Sequence, residues 1–157
     1  MALSIKPYIE NKERIHLIGI GGVSMSALGE LLLSLGVPVS GSDRLKTDVT
    51  ARLESLGAEI TYEHKAENVE GASLIVRTAA VHDDNPEIVR AHALDIPVME
   101  RAEAWGHLMR DYDNVVCLAG THGKTTSTSM MTLMTMEAGL DPTVMVGSNL
   151  PAIGGTL

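Results

Sequence analysis

Short apolar runs alternate along this chain with stretches of helical periodicity. Arg14–Ile20 is a β-rich apolar run and predicts a strand. Gly19 to Gly22 make a tight turn after it. Ser24–Leu35 then sets Met25, Leu28, Leu31, Leu32 and Leu35 at helical spacing, with Gly36 as the stop. Val37–Gly41 predicts a second strand. Thr47 reads as the cap of a helix over Asp48–Leu56, closed by Gly57. Glu59–Tyr62 predicts a third strand, and Leu74–Thr78 a fourth that is buried throughout by composition. Asn85 followed by Pro86 is a favourable helix start. Pro97–Met99 predicts a fifth strand and Ala102–Met109 a helix.

The polar stretch Arg110–Asn114 breaks this rhythm and reads as a linker. Beyond it, Val115–Ala119 predicts a strand, Lys124–Ala138 a helix stopped by Gly139, and Thr143–Val146 the start of another strand. The Gly-Gly stretch running to Leu157 carries no obvious terminal element. No internal repeat or low-complexity tract interrupts the order. Alternating strands and helices imply an α/β, doubly wound parallel sheet with right-handed crossovers. The boundaries divide the chain into a first domain, 1–109, and the beginning of a second, 110–157.

Composition sharpens this picture in a few places. The 157 residues suffice for one ordinary domain, or one plus part of another. One Trp, three Tyr and no Phe leave the core to aliphatic side chains, with nine Met as fillers. Met130, Met131, Met134 and Met136 on the last helix read as core packing, with a binding surface as the alternative. A formal net charge of -8 argues against a nucleic-acid partner, which would need a basic stripe. The single Cys117 falls in a predicted buried strand, so it reads as a core thiol in a reducing compartment. No apolar run is long enough for a membrane span, and no basic region leads an apolar N-terminal stretch. A cytoplasmic location follows.

Candidate chemistry lies in two glycine loops. Gly120-Thr121-His122-Gly123-Lys124-Thr125-Thr126 follows an apolar run and opens a helix. Strand, glycine loop with lysine and hydroxyl, then helix is the arrangement that grips a nucleoside triphosphate. Glycines let backbone N–H groups turn inward, and the helix N-terminus adds partial positive charge. Lys124 can reach the β- and γ-phosphates of ATP, and the Thr125 hydroxyl can coordinate Mg2+. The loop is tighter than the general phosphate-loop pattern, because Leu118 stands where that pattern has its first glycine.

Gly19-Ile20-Gly21-Gly22-Val23-Ser24 is the other loop. It approximates the dinucleotide fingerprint of a Rossmann-like domain, with Ser24 in place of the third glycine. Asp43, at the end of the second strand, sits near the ribose-binding position of such folds. A diphosphate can dock at this helix N-terminus, whether from NAD, FAD or a nucleotide sugar. A dehydrogenase needs only this loop and a simple ATPase only the other. An enzyme that joins a nucleotide-linked substrate to something else at the expense of ATP needs both.

Together these residues resemble the Mur ligases of bacterial cell-wall synthesis. The resemblance rests on His16-Leu17-Ile18-Gly19-Ile20-Gly21-Gly22 with Met25-Ser26, on Ser40-Gly41-Ser42-Asp43, and on His64 with Asn68. It extends through Thr78-Ala79-Ala80-Val81, Asn85-Pro86-Glu87, Arg101-Ala102-Glu103, the Gly120–Thr126 loop and Ala138–Thr143. It implies UDP-N-acetylmuramate, L-alanine and ATP with Mg2+ as reactants in an amide ligation through an acyl phosphate. Gly19, Gly21, Gly22, Val23 and Ser24 would then approach the diphosphate of the nucleotide sugar. Ser42 and Asp43 would lie near uracil or ribose, and Thr78, Ala79 and Ala80 would flank the same crevice. His64 reads equally as a substrate contact or a surface-loop histidine. His122 reads equally as a phosphate contact or a spacer. Lys124 would neutralise the transferring phosphoryl group.

The details of the first loop favour alanine addition over the related ligase that adds a tripeptide to the same nucleotide sugar. Family members are longer, so the resemblance makes this chain a fragment, inactive alone. The apolar face of its last helix would lack sheet partners, leaving it mobile or paired with another copy. Two other readings compete. A nicotinamide-dependent oxidoreductase domain leaves the Gly-Lys-Thr loop unexplained. A non-enzymatic nucleotide sensor would have this length naturally.

Overall fold

The computed structural model describes residues 3–148 and 150–153. The Gly154–Leu157 end lies outside the described residues. The chain divides into two compact units, Met1–Asp113 and Asn114–Leu157.

The first unit is an α/β domain around one five-stranded sheet. A short helix α1 (Lys6–Glu10), which the apolar pattern does not announce, precedes β1 (Ile15–Ile18). Then come α2 (Val23–Ser34), β2 (Val39–Ser42), α3 (Asp48–Ser55) and β3 (Glu59–Thr61). A 3₁₀ turn at Ala66–Val69, also unannounced, leads to β4 (Leu74–Arg77), α4 (Pro86–Ala93), β5 (Val98–Glu100) and α5 (Arg101–Met109). The strand order is β3-β2-β1-β4-β5, and every neighbouring pair is parallel. This is the expected Rossmann-like doubly wound sheet. Its order reverses between β1 and β4, and sheets of this kind receive ligands in the crevice beyond the carboxyl ends of the strands at that switch point.

Strand alternation divides the core between the two faces. Ile18 and Ile75 face one side and pack with Val69, Ala72, Ile88 and Ala91 from the 3₁₀ turn and α4. Leu17 faces the other side. A Cβ placed on Gly29 of α2 would lie 3.3 Å from the Leu17 side chain and 3.4 Å from that of Leu53, so glycine brings α2 close to sheet and α3. Gly41 is tighter still. A Cβ there would meet Ile20 at 2.6 Å and the Leu17 carbonyl at 2.8 Å. The predicted caps form: Thr47 accepts from Thr50 N–H at the start of α3, and Asn85 accepts from Glu87 N–H at the start of α4.

The second unit departs from expectation. Val115–Ala119 forms no strand among the described residues, and its apolar side chains are exposed. Cys117 is exposed with them, not buried. Thr143–Val146 is likewise not a strand. A strand is defined by its ladder, and an apolar run without a neighbour has nowhere to place its N–H and C=O groups except solvent. Helix α6 (Lys124–Glu137) does form. Its methionines do not make a core: Met130, Met131, Met134 and Met136 are exposed, and only Thr132 of this helix is buried. No helix among the described residues is long and apolar enough to cross a membrane.

Candidate functional site

The first glycine loop stands at the carboxyl end of β1. Gly19 takes a positive φ of 77°, which lets the chain turn out of the strand. Four of the loop's N–H groups bond within the protein: Gly19 and Ile20 to the Ser42 carbonyl at 2.8 and 3.0 Å, Gly22 to the Gly19 carbonyl at 3.1 Å, and Gly21 to Asp43 Oδ2 at 2.8 Å. A Cβ on Gly21 would collide with that same carboxylate, so glycine here serves the close approach of Asp43. The other Asp43 oxygen accepts from Arg44 and Leu45 N–H groups. Asp43 therefore clamps the loop after β2 to the loop after β1. Val23 and Ser24 begin α2, the positions whose N–H groups no helical turn can use. Trp105 of α5 steadies this turn, donating from Nε1 to the Ser24 carbonyl at 3.3 Å and Oγ at 3.2 Å.

Thr78, Ala79 and Ala80 follow β4, across the crevice from that loop in strand order. The Thr78 hydroxyl accepts from Ala80 N–H, and its carbonyl accepts from Val81 N–H. Ala79 and Ala80 are exposed and offer no side-chain bulk. A compact turn with small side chains is what a close backbone approach requires.

A buried polar network lies under this carboxyl edge. Parallel central strands normally read as unbroken apolar runs, yet β1 carries His16 and β2 carries Ser40 and Ser42. Alternation and register place these three on the α4 face, because His16 pairs with Ser40 and Ile18 with Ser42. Glu87, in the first turn of α4, is their hub. One carboxylate oxygen, Oε1, lies 3.1 Å from His16 Nε2 and 2.9 Å from Asn68 Nδ2. The other, Oε2, lies 2.8 Å from Ser42 Oγ and 2.6 Å from His64 Nδ1. His16 Nδ1 is 3.0 Å from Ser40 Oγ, which accepts in turn from Arg14 Nε at 3.2 Å. Glu87 is fully buried and His16 is 1% exposed. Burial pushes the Glu87 carboxyl up, but hydrogen bonds from His16, Asn68 and His64 outweigh it and hold the group below the usual carboxylate range.

Sequence reasoning missed this hub. It took Asn85-Pro86 as a helix start and Asn85-Pro86-Glu87 as one segment of the family resemblance, with no role for Glu87. The available signal was a histidine and two serines in strands that should be apolar. Ser42 is wholly buried, with its hydroxyl donated to Glu87. His64 is no free surface histidine: one face of its ring is held by Glu87, and its side chain keeps 17% of its surface exposed.

In the second unit, Gly123 takes a positive φ of 76° as the residue before α6. Its carbonyl accepts from Ser127 N–H. Lys124 folds back on its own loop, donating to the Gly120 carbonyl at 2.5 Å and more weakly to Thr121 at 3.4 Å. Gly120 through Thr126, with His122 and Thr125 among them, are all exposed. Among the described residues, no group of three or more His, Cys, Asp or Glu could hold a metal ion.

The comparisons with known proteins agree with this geometry. The family model described as "Mur ligase family, catalytic domain" matches residues 14–113. The chain belongs to the Mur ligase family. Among curated Mur ligases, the UDP-N-acetylmuramate–L-alanine ligase of Clostridium novyi is 47% identical over 148 residues, covering 94% of this chain and 32% of the relative. That of Geobacter sp. (strain M21) is 51% identical over 142 residues, covering 90% of this chain and 31% of the relative. The chain thus spans about a third of the length of the curated relatives it matches. Among solved structures, the UDP-N-acetylmuramate–alanine ligase of Thermotoga maritima superposes with a TM-score of 0.86 at 37% identity, over 91% of this chain and 34% of that one. The UDP-N-acetylmuramate:L-alanyl-γ-D-glutamyl-meso-diaminopimelate ligase of Neisseria meningitides gives 0.85 at 26% identity, over 92% of this chain and 45% of that one.

Proposed function

We propose that this chain carries the nucleotide-sugar-binding part and the opening of the ATP-binding part of a ligase that adds L-alanine to UDP-N-acetylmuramate, in peptidoglycan precursor synthesis in the cytoplasm. The observation that carries the proposal is the 47% identity over 148 of the 157 residues, a span that takes in both glycine loops. Identity to the tripeptide-type ligase is lower, at 26%, which favours alanine as the amino acid. The division into residues 1–109 and 110–157 belongs to the same proposal.

On this reading the crevice beyond β1 and β4 receives the nucleotide sugar. The first turn of α2, at Val23 and Ser24, meets the diphosphate with the positive end of the helix. Gly19, Gly21 and Gly22 keep the backbone low enough for that approach. Thr78, Ala79 and Ala80 form the opposite wall, and Asp43 holds the rim.

The Gly120–Thr126 loop receives ATP. Lys124 has nothing stronger than two loop carbonyls to leave, so exchanging them for phosphate oxygens is favourable. The Thr125 hydroxyl, next to Lys124 at the start of α6, would hold Mg2+. Mg2+, when bound, supplies charge neutralisation on the phosphoryl group. The sugar carboxylate takes the γ-phosphoryl group of ATP, with ADP leaving, to give an acyl phosphate; the alanine amine attacks its carbonyl carbon, and phosphate and a proton leave. The chain's own contribution is placement of the two phosphorylated reactants and the Lys124 charge.

Calorimetric titration tests the reading. The chain should bind UDP-N-acetylmuramate, and separately a non-hydrolysable ATP analogue with Mg2+. Lys124→Ala should weaken the ATP analogue by about tenfold or more, from loss of a charge-assisted contact, and leave the nucleotide sugar unchanged. Equal loss of both ligands, or NADH displacing the nucleotide sugar, would overturn it.

A further inference from the structure

We infer that Glu87 is a positioning residue for the nucleotide crevice: its buried carboxylate fixes the His64 ring so that Nε2 faces outward as a hydrogen-bond acceptor for a uridine nucleotide. The inference rests on the nucleotide-sugar reading of this crevice and adds a residue and a bond direction to it.

An ionised carboxylate only accepts. Glu87 Oε2 lies 2.6 Å from His64 Nδ1 and 2.8 Å from Ser42 Oγ, so both must donate to it. In the neutral ring a proton on Nδ1 leaves Nε2 bare. Nε2 makes no hydrogen bond among the described residues, and the ring keeps part of its surface exposed. The two nitrogens diverge, so Nε2 points away from the buried hub. His64 follows β3 on the carboxyl side of the sheet, where Ser42 ends β2 and Gly19 leaves β1. An acceptor there calls for an N–H or O–H donor on the ligand. A uridine nucleotide has two kinds, the imide of the base and the hydroxyls of the ribose.

The rest of the network makes this tautomer the self-consistent one. Asn68 Nδ2 donates to the Glu63 carbonyl at 2.7 Å, which fixes its amide orientation and makes it a donor to Glu87 Oε1. His16 Nε2 donates to the same oxygen, leaving Nδ1 to accept from Ser40, whose oxygen accepts from Arg14. Ser42 Oγ also lies 3.1 Å from His64 Nδ1, so the His64 proton has the serine oxygen beside it, with the charged Glu87 Oε2 the nearer acceptor at 2.6 Å.

Glu87→Gln makes the test sharp. The Asn68 amide and the His16 N–H require an acceptor on their side, so the new amide nitrogen must face Ser42 and His64. His64 Nδ1 then becomes the acceptor and the proton moves to Nε2, turning the outward group from acceptor to donor. Imidazole ¹H–¹⁵N spectra of the 157-residue chain read this directly, with His64 assigned by its loss in His64→Gln. Wild type should show His64 protonated at Nδ1, and UDP should shift the Nε2 signal. Glu87→Gln should show the reverse tautomer and bind UDP about tenfold more weakly. On wild type, N3-methyl-UDP should lose the same factor if the imide is the donor, and 2′- or 3′-deoxy-UDP if a ribose hydroxyl is.

Should Glu87→Gln fail to fold, the wild-type tautomer, the Nε2 shift and the analogue series still decide the matter. A wild-type His64 protonated at Nε2, or UDP binding that neither moves Nε2 nor falls with any analogue, overturns this inference and leaves the nucleotide-sugar reading standing. Absence of UDP binding by the wild-type chain overturns both.

Discussion

One local pattern occurs twice in this molecule and ends in two different structures. Ile15–Ile18, the Gly19–Gly22 turn and α2 form a paired strand, a turn and a helix packed on the sheet. Val115–Ala119, the Gly120–Gly123 turn and α6 have the same order of apolar run, glycines and helix. Ile15, Leu17 and Ile18 are fully buried, whereas Val116 is 65% exposed and Met134 of α6 is 69% exposed. The first run has β2 and β4 on its two sides, and the second has no strand beside it among the described residues. An apolar run is a demand for burial. A parallel strand exists only when distant segments answer that demand. Helices satisfy their own backbone, which is why α6 forms without partners and its strand does not.

The contrast can be broken by substitution, and the first unit should be far more sensitive. The largest effect expected is from Glu87→Ala. It strands His16, Ser42 and Asn68 without their acceptor and should cost about 3–5 kcal/mol. Denaturant unfolding of the first unit reads this; a loss below about 1 kcal/mol would show that the network is not holding the sheet to α4. Gly41→Ala comes next, since its methyl meets Ile20 and a Leu17 carbonyl that cannot move away. Overpacking of this kind costs about 3 kcal/mol, visible as a lower melting temperature.

Acid should separate the two units as well. The Glu87 carboxyl is held below its ordinary value of 4.5 in the folded protein. The unfolded chain therefore takes up the proton first as pH falls. The contribution is fully present above pH 4.5 and is lost as pH drops below it through the lower folded value. Melting temperature against pH should fall in this window for wild type and fall less for Glu87→Gln. The smallest effect belongs to α6. Met134→Ser lies on an exposed helix face and should change stability by no more than about 0.5 kcal/mol. A loss above about 1 kcal/mol would mean that this face is packed, and the contrast between the units would be gone.

Much of the first unit was legible because its signals are local and agree with one another. Thr47, Asn85-Pro86, Gly36 and Gly57 punctuate elements whose apolar spacing already names their type, so boundaries fell within a residue or two. Helix α1 was missed because five residues carry no period to read. The strand expectation for Val115–Ala119 failed for the opposite reason: the pattern was clear, but the partner it presupposes is a non-local fact. The same gap hid Glu87. It lies 71 positions from His16 and 23 from His64, and a glutamate in a first helical turn already has an ordinary explanation in the helix dipole. Only the fold brings it under the ends of β1 and β2. The glycine loops were visible as motifs, while the use of Gly21 N–H by Asp43 was not.

The bond from Trp105 to Ser24 has a practical side. This chain has one tryptophan, and its ring nitrogen is tied to the opening turn of α2. Any guest that reorders that turn alters the surroundings of a lone chromophore. Intrinsic emission is therefore a label-free gauge of occupancy at this end of the sheet, with no second indole to dilute the signal.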